Sequence, residues 1–342
     1  SGRVGALTDA RGEATLRLAA GTHVIASAAV GLRADSVAIV LGATTDTTVT
    51  LVLALANAAR LEGVVVSATR AERRVEDTPL RVEVIDEEEI AEKVAMTPGD
   101  IAMMLNETSG LRVQATNPAL GGANVRMQGL RGRYSLLLAD GLPLYGGQAG
   151  GLGLLQIPPV DLGRVEVIKG TASALYGSSA LGGVVNLVSR RPRAEGERTA
   201  LVNGTSRGGT DGVWFGGGPL SERWGWTVLA GGHLQRRQDL DDDGWTDMPG
   251  YERAVVRPRL YFDDGAGRSA FLTGGVTLED RVGGTLPGDT VPGGERRVES
   301  LGTRRADVGG LARWVRGSGG ALGGAIVTVR GSAMEQRHDH RF

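Results

Sequence analysis

The strongest constraint on the fold of this chain is an alternation of apolar and polar residues that runs from about residue 197 onward. Successive side chains of a β-strand point to opposite faces, so a period of two predicts strands. We expect roughly seven such strands after residue 196. The apolar faces of the four clearest runs hold Trp224, Trp226, Val228, Ala230 and Leu234; Ala254, Val256, Leu260 and Phe262; Leu272, Val276 and Leu278; and Ala306, Val308, Ala312 and Trp314.

The alternation by itself is compatible with two architectures. A soluble sandwich buries its apolar faces, whereas a membrane barrel turns them toward lipid. Several runs exceed the usual strand length of about five or six residues. The polar faces also carry arginines, including Arg253, Arg257 and Arg259, which a dry core would exclude. Run length and arginine content therefore favour the barrel.

Composition excludes several classes of function. The formal net charge of -1 gives no electrostatic argument for binding nucleic acid. The absence of cysteine excludes disulfides, thiol catalysis and cysteine metal sites. No segment approaches the roughly 18 consecutive apolar residues of a membrane helix. The chain starts at Ser1, without an initiator methionine or a signal region, and we expect a mature or cropped start.

Pattern changes divide the chain into four zones, which are residues 1–57, 58–74, 75–195 and 196–342. The runs TLRLAAGTHVIASAAVGL and TTVTLVLAL predict strands of a small sandwich in the first zone. The third zone mixes helix and strand signals. Asp86 is placed to cap a helix that begins EEEIAEK, and Thr97 is expected to cap a second helix within TPGDIAMMLNETSG.

Linked motifs occupy residues 124–144 (NVRMQGLRGRYSLLLADGLPL) and 164–192 (RVEVIKGTASALYGSSALGGVVNLVSRRP). Asp140-Gly141 predicts a tight turn, and Gly182-Gly183 predicts a close backbone approach before the next strand. Together these segments resemble the plug domain of TonB-dependent outer-membrane receptors. The resemblance implies an α+β plug at 75–195, followed at 196–342 by the first antiparallel strands of a transmembrane β-barrel. Because such barrels close with roughly 22 strands, we expect an incomplete barrel.

The linker at 58–74 contains LEGVVVSATR, which resembles the family's TonB box and its flank. The resemblance implies that this segment binds the periplasmic partner TonB by adding a strand to it, and a β-branched extended segment suits that role. The alternative is an ordinary edge strand. The box residues are Glu62, Gly63, Val64, Val65, Val66, Ser67 and Ala68.

Residues 1–57 resemble the end of the carboxypeptidase regulatory-like domain, a small β-sandwich found ahead of some of these receptors. That module is not a peptidase, and the segment has no zinc-ligand spacing. His23 is interpreted as a structural strand residue.

The resemblance also implies contact sites on the plug. We expect apical loops at 116–123 and 143–154 to contact ligand, unless they are generic flexible loops. Their candidate residues are Asn117, Leu120, Tyr145 and Gln148. Plug-to-barrel pairing is assigned to Arg126, Gln128 and Lys169. Gln128 departs from the family pattern, which often has arginine there, and Arg126 is expected to substitute for it.

The segment DLDDDG (239–244) matches the start of a calcium loop, with Asp239, Asp241 and Asp243 at alternate positions. Gly250 stands where an EF-hand requires glutamate, which excludes an EF-hand. The alternatives are a solvated acidic loop and a calcium site, since cobalamin receptors of this family hold calcium in a similar loop. No other cofactor is expected.

The function implied by the resemblance is active import across the outer membrane of a Gram-negative-type bacterium, with the plug and the N-terminal domain on the periplasmic side. The expected partners are TonB, outer-membrane lipid and a small ligand, either an iron chelate or a cobalamin-like molecule, with ferric siderophores the commonest and haem and glycans further candidates. A non-transporting surface adhesive β-protein would also explain the alternation, but not the linked motifs. We expect no enzyme, because the sequence shows no catalytic triad, paired catalytic carboxylates or nucleotide loop.

Overall fold

A computed structural model describes residues 6, 8–9, 13–27, 35–42, 47–51, 65–66, 73–74, 81–117, 119–144, 153–170, 176–177, 180–286, 295–315 and 325–342. The chain forms two compact units, Ser1–Val64 and Val65–Phe342. Within the described ranges, no helix has the length and apolarity needed to cross a bilayer.

Among its described residues the first unit contains one antiparallel hairpin, in which β1 (Gly21–Ser27) pairs with β2 (Asp35–Leu41). The prediction of strands at 15–20 and 47–51 is wrong, because the structure describes these residues and places none of them in a strand. A β-strand needs a neighbour for its backbone hydrogen bonds, and alternation alone does not supply one. The rest of the second expected run, 52–55, lies outside the described residues.

The second unit holds two helices and fifteen strands among its described residues. The helices are α1 (Glu87–Met96) and α2 (Ala102–Glu107). The strands before residue 196 are β3 (Val65–Val66), β4 (Arg73–Arg74), β5 (Arg81–Ile85), β6 (Leu111–Asn117), β7 (Gly122–Met127), β8 (Ser135–Ala139), β9 (Leu162–Lys169) and β10 (Gly183–Ser189). The later strands are β11 (Glu197–Gly204), β12 (Gly209–Pro219), β13 (Trp224–Gln235), β14 (Gly250–Asp263), β15 (Arg268–Gly284), β16 (Val298–Val315) and β17 (Ile326–Arg341).

The plug is built on a mixed sheet of four strands in the order β5-β9-β10-β8, in which only the β8–β10 pair is parallel. Strands β6 and β7 form a separate hairpin. Gly183 is required where β10 begins: its φ is +138°, and a Cβ there would lie 2.1 Å from the carbonyl oxygen of Ile168. The predicted close approach at this glycine is confirmed.

One of the two predicted helix caps is confirmed, and the other is wrong. Asp86 caps α1 as predicted, with its Oδ1 accepting the N–H of Glu89 at 3.0 Å. Thr97 does not cap α2, because its backbone N–H bonds Lys93 and ends α1 instead. The start of α2 is held by Asp100, whose Oδ1 accepts the N–H of Ala102 at 2.8 Å.

The seven later strands form one antiparallel sheet in sequence order, which confirms the expected strand count. Its apolar face is exposed: Leu272 and Val308 remain 52% and 51% accessible. Its polar face is buried against the plug, where Arg257 and Arg305 are 3% and 2% accessible. This inversion decides between the two architectures in favour of the barrel type.

The plug and the sheet share one apolar core. Val213, Phe215, Leu229 and Phe271 of the sheet belong to the same buried cluster as residues of the plug strands and helices. The connections between the sheet strands also differ at the two ends. The connections that follow β11, β13 and β15 leave the sheet at one end, and those that follow β12, β14 and β16 leave it at the other. We call the first the long-loop end.

Candidate functional site

The polar residues of the linked motifs form one buried network inside the plug. Glu166, on β9, accepts hydrogen bonds from Arg164 at 2.8 Å and from the Asn186 amide at 2.9 Å. The Asn186 oxygen in turn accepts the N–H of Gly141 at 2.8 Å. Residues far apart in the sequence are therefore tied across β8, β9 and β10, and their role is to hold the plug sheet together.

The turn at Asp140-Gly141 extends this network toward the barrel-type sheet. Asp140 has a φ of +50° and Gly141 a φ of +75°, as a tight left-handed turn requires. The Asp140 carboxylate accepts the N–H and the hydroxyl of Ser189 at 2.9 and 2.8 Å. The Ser189 hydroxyl also lies 3.2 Å from the Tyr261 hydroxyl of β14.

Three charged residues on the inner face of the sheet form a cluster close to the long-loop end. Arg253, on β14, and Arg281, on β15, flank Glu279, with nitrogen–oxygen distances of 3.5 and 3.2 Å. All three are buried, at 3–4% accessibility. Buried charges of this kind are stable only when they are paired and hydrogen-bonded.

This cluster is bonded to three separate loops of the plug. Arg253 donates to the carbonyl of Gly99 at 2.7 Å and to that of Leu155, and Arg281 donates to the carbonyl of Leu120 at 2.9 Å. The Gln156 amide donates to Glu279 at 3.0 Å. The triad of Arg253, Glu279 and Arg281 is called the upper latch below. The upper latch binds mainly backbone carbonyl groups of the plug. The strength of this contact therefore depends more on the position of the plug loops than on their side chains.

A second set of contacts lies toward the other end of β14. Arg259 is 2.6 Å from the Asp161 carboxylate and 3.6 Å from that of Asp140. The Tyr261 hydroxyl donates to the carbonyl of Arg190 at 3.3 Å. Hydrogen bonds to charged groups contribute about 1.5–3 kcal/mol each. The two sets together hold the plug firmly, yet every bond is non-covalent and therefore reversible.

Asp100 lies beside the upper latch, on the plug side. Burial raises the pKa of its carboxyl above the ordinary value of 3.8. The N–H of Ala102 and the positive charges of Arg253 and Arg281 oppose this effect without cancelling it. Ionised Asp100 therefore destabilises the contact between the plug and the sheet.

The residues assigned to plug-to-barrel pairing take other positions. Lys169 pairs with Glu83 inside the plug. Gln128 lies exposed in a turn with a φ of +50°, where its N–H bonds Gly110 at 2.9 Å. Arg126, half-buried on β7, has no ion pair among the described residues. The assignment is corrected: the pairing residues are the arginines of the sheet. The alternation placed these arginines on one face of the strands, but it showed neither that this face packs against the plug nor which groups the arginines reach.

The apical-loop residues have different outcomes. Leu120 is 1% accessible and packs against Leu301 of β16, so it anchors the loop instead of facing solvent. Beside it, a Cβ at Gly283 would lie 1.7 Å from the carbonyl oxygen of Ala119, and only glycine permits this contact. Asn117 ends β6, and its side chain lies outside the description. Tyr145 and Gln148 lie outside the described residues.

The predicted TonB box is described only in its centre. Val65 and Val66 form the short strand β3, which pairs antiparallel with Arg73 and Arg74 of β4. Glu62, Gly63, Val64, Ser67 and Ala68 lie outside the described residues. The backbone at the centre of the segment is extended, as strand addition requires.

The acidic loop brings together a set of carboxylates that differs from the expected one. Oxygens of Asp239, Asp241 and Asp247 all lie within 4.8 Å of one another. Asp243 is not in this group, and its Oδ1 accepts the N–H of Trp245 at 2.8 Å. The sequence spacing did not indicate Asp247. In the structure the Asp247 carboxylate accepts the N–H of Leu240 at 2.7 Å, and this hydrogen bond holds Asp247 beside the turn.

Comparison with known proteins shows which family this chain resembles. Residues 74–184 match the model of the TonB-dependent Receptor Plug Domain. The chain is similar to the vitamin B12 transporter BtuB of Photobacterium profundum, at 32% identity over 53% of this chain and 30% of that protein. It is also similar to the iron-regulated outer membrane virulence protein of Vibrio cholerae, at 26% identity over 64% of this chain and 34% of the relative. Both matches thus span about a third of the relative's length.

A solved structure shares the fold. The ferric yersiniabactin uptake receptor FyuA from Yersinia pestis superposes with a TM-score of 0.62 at 12% identity, covering 80% of this chain and 44% of that one. Because the match covers 80% of this chain, it extends beyond the plug domain, where the family model ends at residue 184, into the barrel-type sheet.

Proposed function

We propose that this chain, whose residues 74–184 are a plug domain of the TonB-dependent receptors, belongs to an importer that takes a scarce nutrient across the outer membrane. The observation that carries the proposal is the latch. The inner face of the sheet is polar, buried and bonded to a compact plug, while its outer face is apolar and exposed. A plug held by reversible hydrogen bonds inside a polar wall closes a pore that remains able to open.

The orientation follows from the loops. Outer-membrane barrels have short periplasmic turns and longer external loops. The long-loop end, with segments 236–249 and 285–297, therefore faces the cell exterior in our proposal. The plug loop at Leu120 and the upper latch lie at this end. An external ligand would meet them first, and the linker with the TonB box would lie on the periplasmic side.

Energy coupling is assigned to the segment around Val65. TonB would add a strand to this extended backbone and pull on the plug, using the inner-membrane proton gradient. Before it does so, the pairing between β3 and β4 must open. Since the paired segment has only two residues per strand, few hydrogen bonds oppose the exchange.

The test is Val65→Pro in the full-length receptor. Proline removes a backbone donor and blocks strand addition, so we expect uptake to be lost while ligand binding persists. Val24→Pro, in the first unit, is the control for a proline placed in a different strand. Normal uptake by Val65→Pro at normal expression would refute the assignment of the box.

We infer that the ligand is a metal chelate, either a ferric siderophore or a cobalamin-like molecule. The names of the two curated relatives, a vitamin B12 transporter and an iron-regulated outer membrane protein, support this class without choosing between its members. Induction of the gene under iron limitation or under cobalt limitation would choose. Induction under neither condition would count against both.

We further propose that calcium binds the loop at Asp239, Asp241 and Asp247. Their carboxylate oxygens converge, and oxygen is the ligand that calcium prefers. The negative charge of Asp243 raises the pKa of Asp241, so the loop carries a repulsion that a cation would relieve. Bound calcium would fix the conformation of segment 236–249.

A further inference from the structure

The inner face of β17 carries two histidines at the long-loop end, outside every contact assigned so far. His338 and His340 are two residues apart on one strand and therefore project to the same side. Register places His338 opposite Thr303 and His340 opposite Leu301, both residues of the inner face. Leu301 packs against Leu120, so the two imidazoles lie one strand away from the outermost contact of the plug.

A carboxylate completes the group. Glu299 Oε1 lies 2.8 Å from Nε2 of His340, and the two side chains are 19% and 36% accessible. His338 has Nδ1 at 3.1 Å from the Thr303 hydroxyl and Nε2 at 2.8 Å from the Gln336 amide. The neighbours that hydrogen-bond to the two imidazoles are therefore neutral or negative.

The chemistry of this group is that of a transition-metal ligand set. Neutral imidazole and carboxylate suit Zn²⁺, Ni²⁺ and Cu²⁺, and a strand that presents histidines on one face offers two nitrogens to a single ion. Within the described part of the chain, neither histidine hydrogen-bonds to the upper latch or to the acidic loop. In the structure the donor atoms of His338, His340 and Glu299 do not all lie within 4.8 Å of one another, so binding requires rotation of the two imidazoles toward each other.

We propose that His338 and His340, with Glu299 as a third donor, bind the open coordination positions of a transition metal at the outer entrance of the pore. The metal is either a free ion or the centre of a chelate that keeps two positions open. This inference rests on the proposed import function, because it makes the site the first contact of a metal-containing cargo. It adds the residues and the donor chemistry, which the proposed function does not specify.

The test measures metal binding to the purified full-length receptor, with Ni²⁺ alone and with the nickel–nitrilotriacetate complex as probes. We expect His338→Ala/His340→Ala to weaken binding by more than about tenfold. Glu299→Gln, which keeps one oxygen, should weaken it less. His23→Ala is the matched control, since it removes a histidine from the first unit and should change nothing. Gel mobility before and after heating checks that every variant keeps a folded barrel.

The outcomes are separable. Binding of both probes that depends on the two histidines supports a site open to chelates, and binding of Ni²⁺ alone supports a free-ion site. Binding of neither probe, or binding that survives the double substitution in a folded receptor, overturns the proposal. The assay needs no TonB, so its result is independent of Val65→Pro. A receptor that binds nickel through these histidines but imports nothing would refute only the import function.

Discussion

The substitution Glu279→Gln tests most directly whether the upper latch holds the plug in place. The substitution keeps the size of the side chain and one oxygen that accepts from Gln156, but it removes the negative charge between Arg253 and Arg281. Two guanidinium groups, each 4% accessible, are then left side by side without their carboxylate. If the plug leaves, water can hydrate both groups, so the cost falls on the closed state.

The magnitude follows from the burial. Breaking a buried ion pair by removing one partner costs about 3–5 kcal/mol. The retained amide oxygen recovers part of this, and we expect the docked plug to lose about 2–3 kcal/mol. With a urea dependence of about 1–3 kcal/mol per molar, the midpoint of plug unfolding should fall by roughly 0.7–3 M.

The assay uses the absence of cysteine from residues 1–342, after any cysteine elsewhere in the full-length receptor has been replaced by serine. A single cysteine at Met96, which is 65% accessible at the end of α1, carries a fluorophore that reports on the plug alone. The five tryptophans cannot report on it, because all of them follow residue 196. Urea titration of the labelled full-length receptor in detergent then gives the plug midpoint.

The control for this experiment is Glu252→Gln. Glu252 lies on the exposed outer face of β14, next in sequence to Arg253, and undergoes the same chemical change. It should leave the plug midpoint unchanged. An unchanged midpoint for Glu279→Gln, or an equal fall for both variants, would refute the reasoning that the buried charge cluster holds the plug closed.

Three further predictions follow from single residues. Gly183→Ala should prevent the plug from folding, as judged by protease resistance of residues 75–195, because its Cβ would meet the Ile168 carbonyl; a resistant plug would contradict this. Asp100→Asn should stabilise the docked plug in urea at neutral pH; the folded-state pKa is raised, so the cost of the charge is full above that pKa, and the gain should vanish as the pH falls below 3.8. A gain that persists in acid would exclude the carboxylate as its source. Chelating calcium should weaken ligand binding by the full-length receptor, and Asp247→Asn should weaken it as much; affinity insensitive to both would leave a solvated acidic loop.

Local sequence determined much of the plug. The tight turn at Asp140, the cap at Asp86 and the close approach at Gly183 were all predicted, because each depends on the conformational limits of one or two residues. The assignment of Thr97 to α2 was wrong for the same local reason: a threonine before a helical pattern also suits the end of the preceding helix. Which helix it joins depends on where α1 stops.

The sequence by itself predicted roughly seven strands after residue 196, and it gave four of them a clear apolar face and a clear polar face. It did not determine which face is buried, because the period of two is the same in a sandwich and in a barrel. Only the tertiary structure decided this, by packing the arginine face against the plug. It also replaced Arg126, Gln128 and Lys169 by Arg253, Arg259 and Arg281 as pairing residues, and brought Asp247 to Asp239. Such contacts join residues up to 161 positions apart, and a linear pattern carries no information on which distant backbone carbonyl a buried guanidinium will reach.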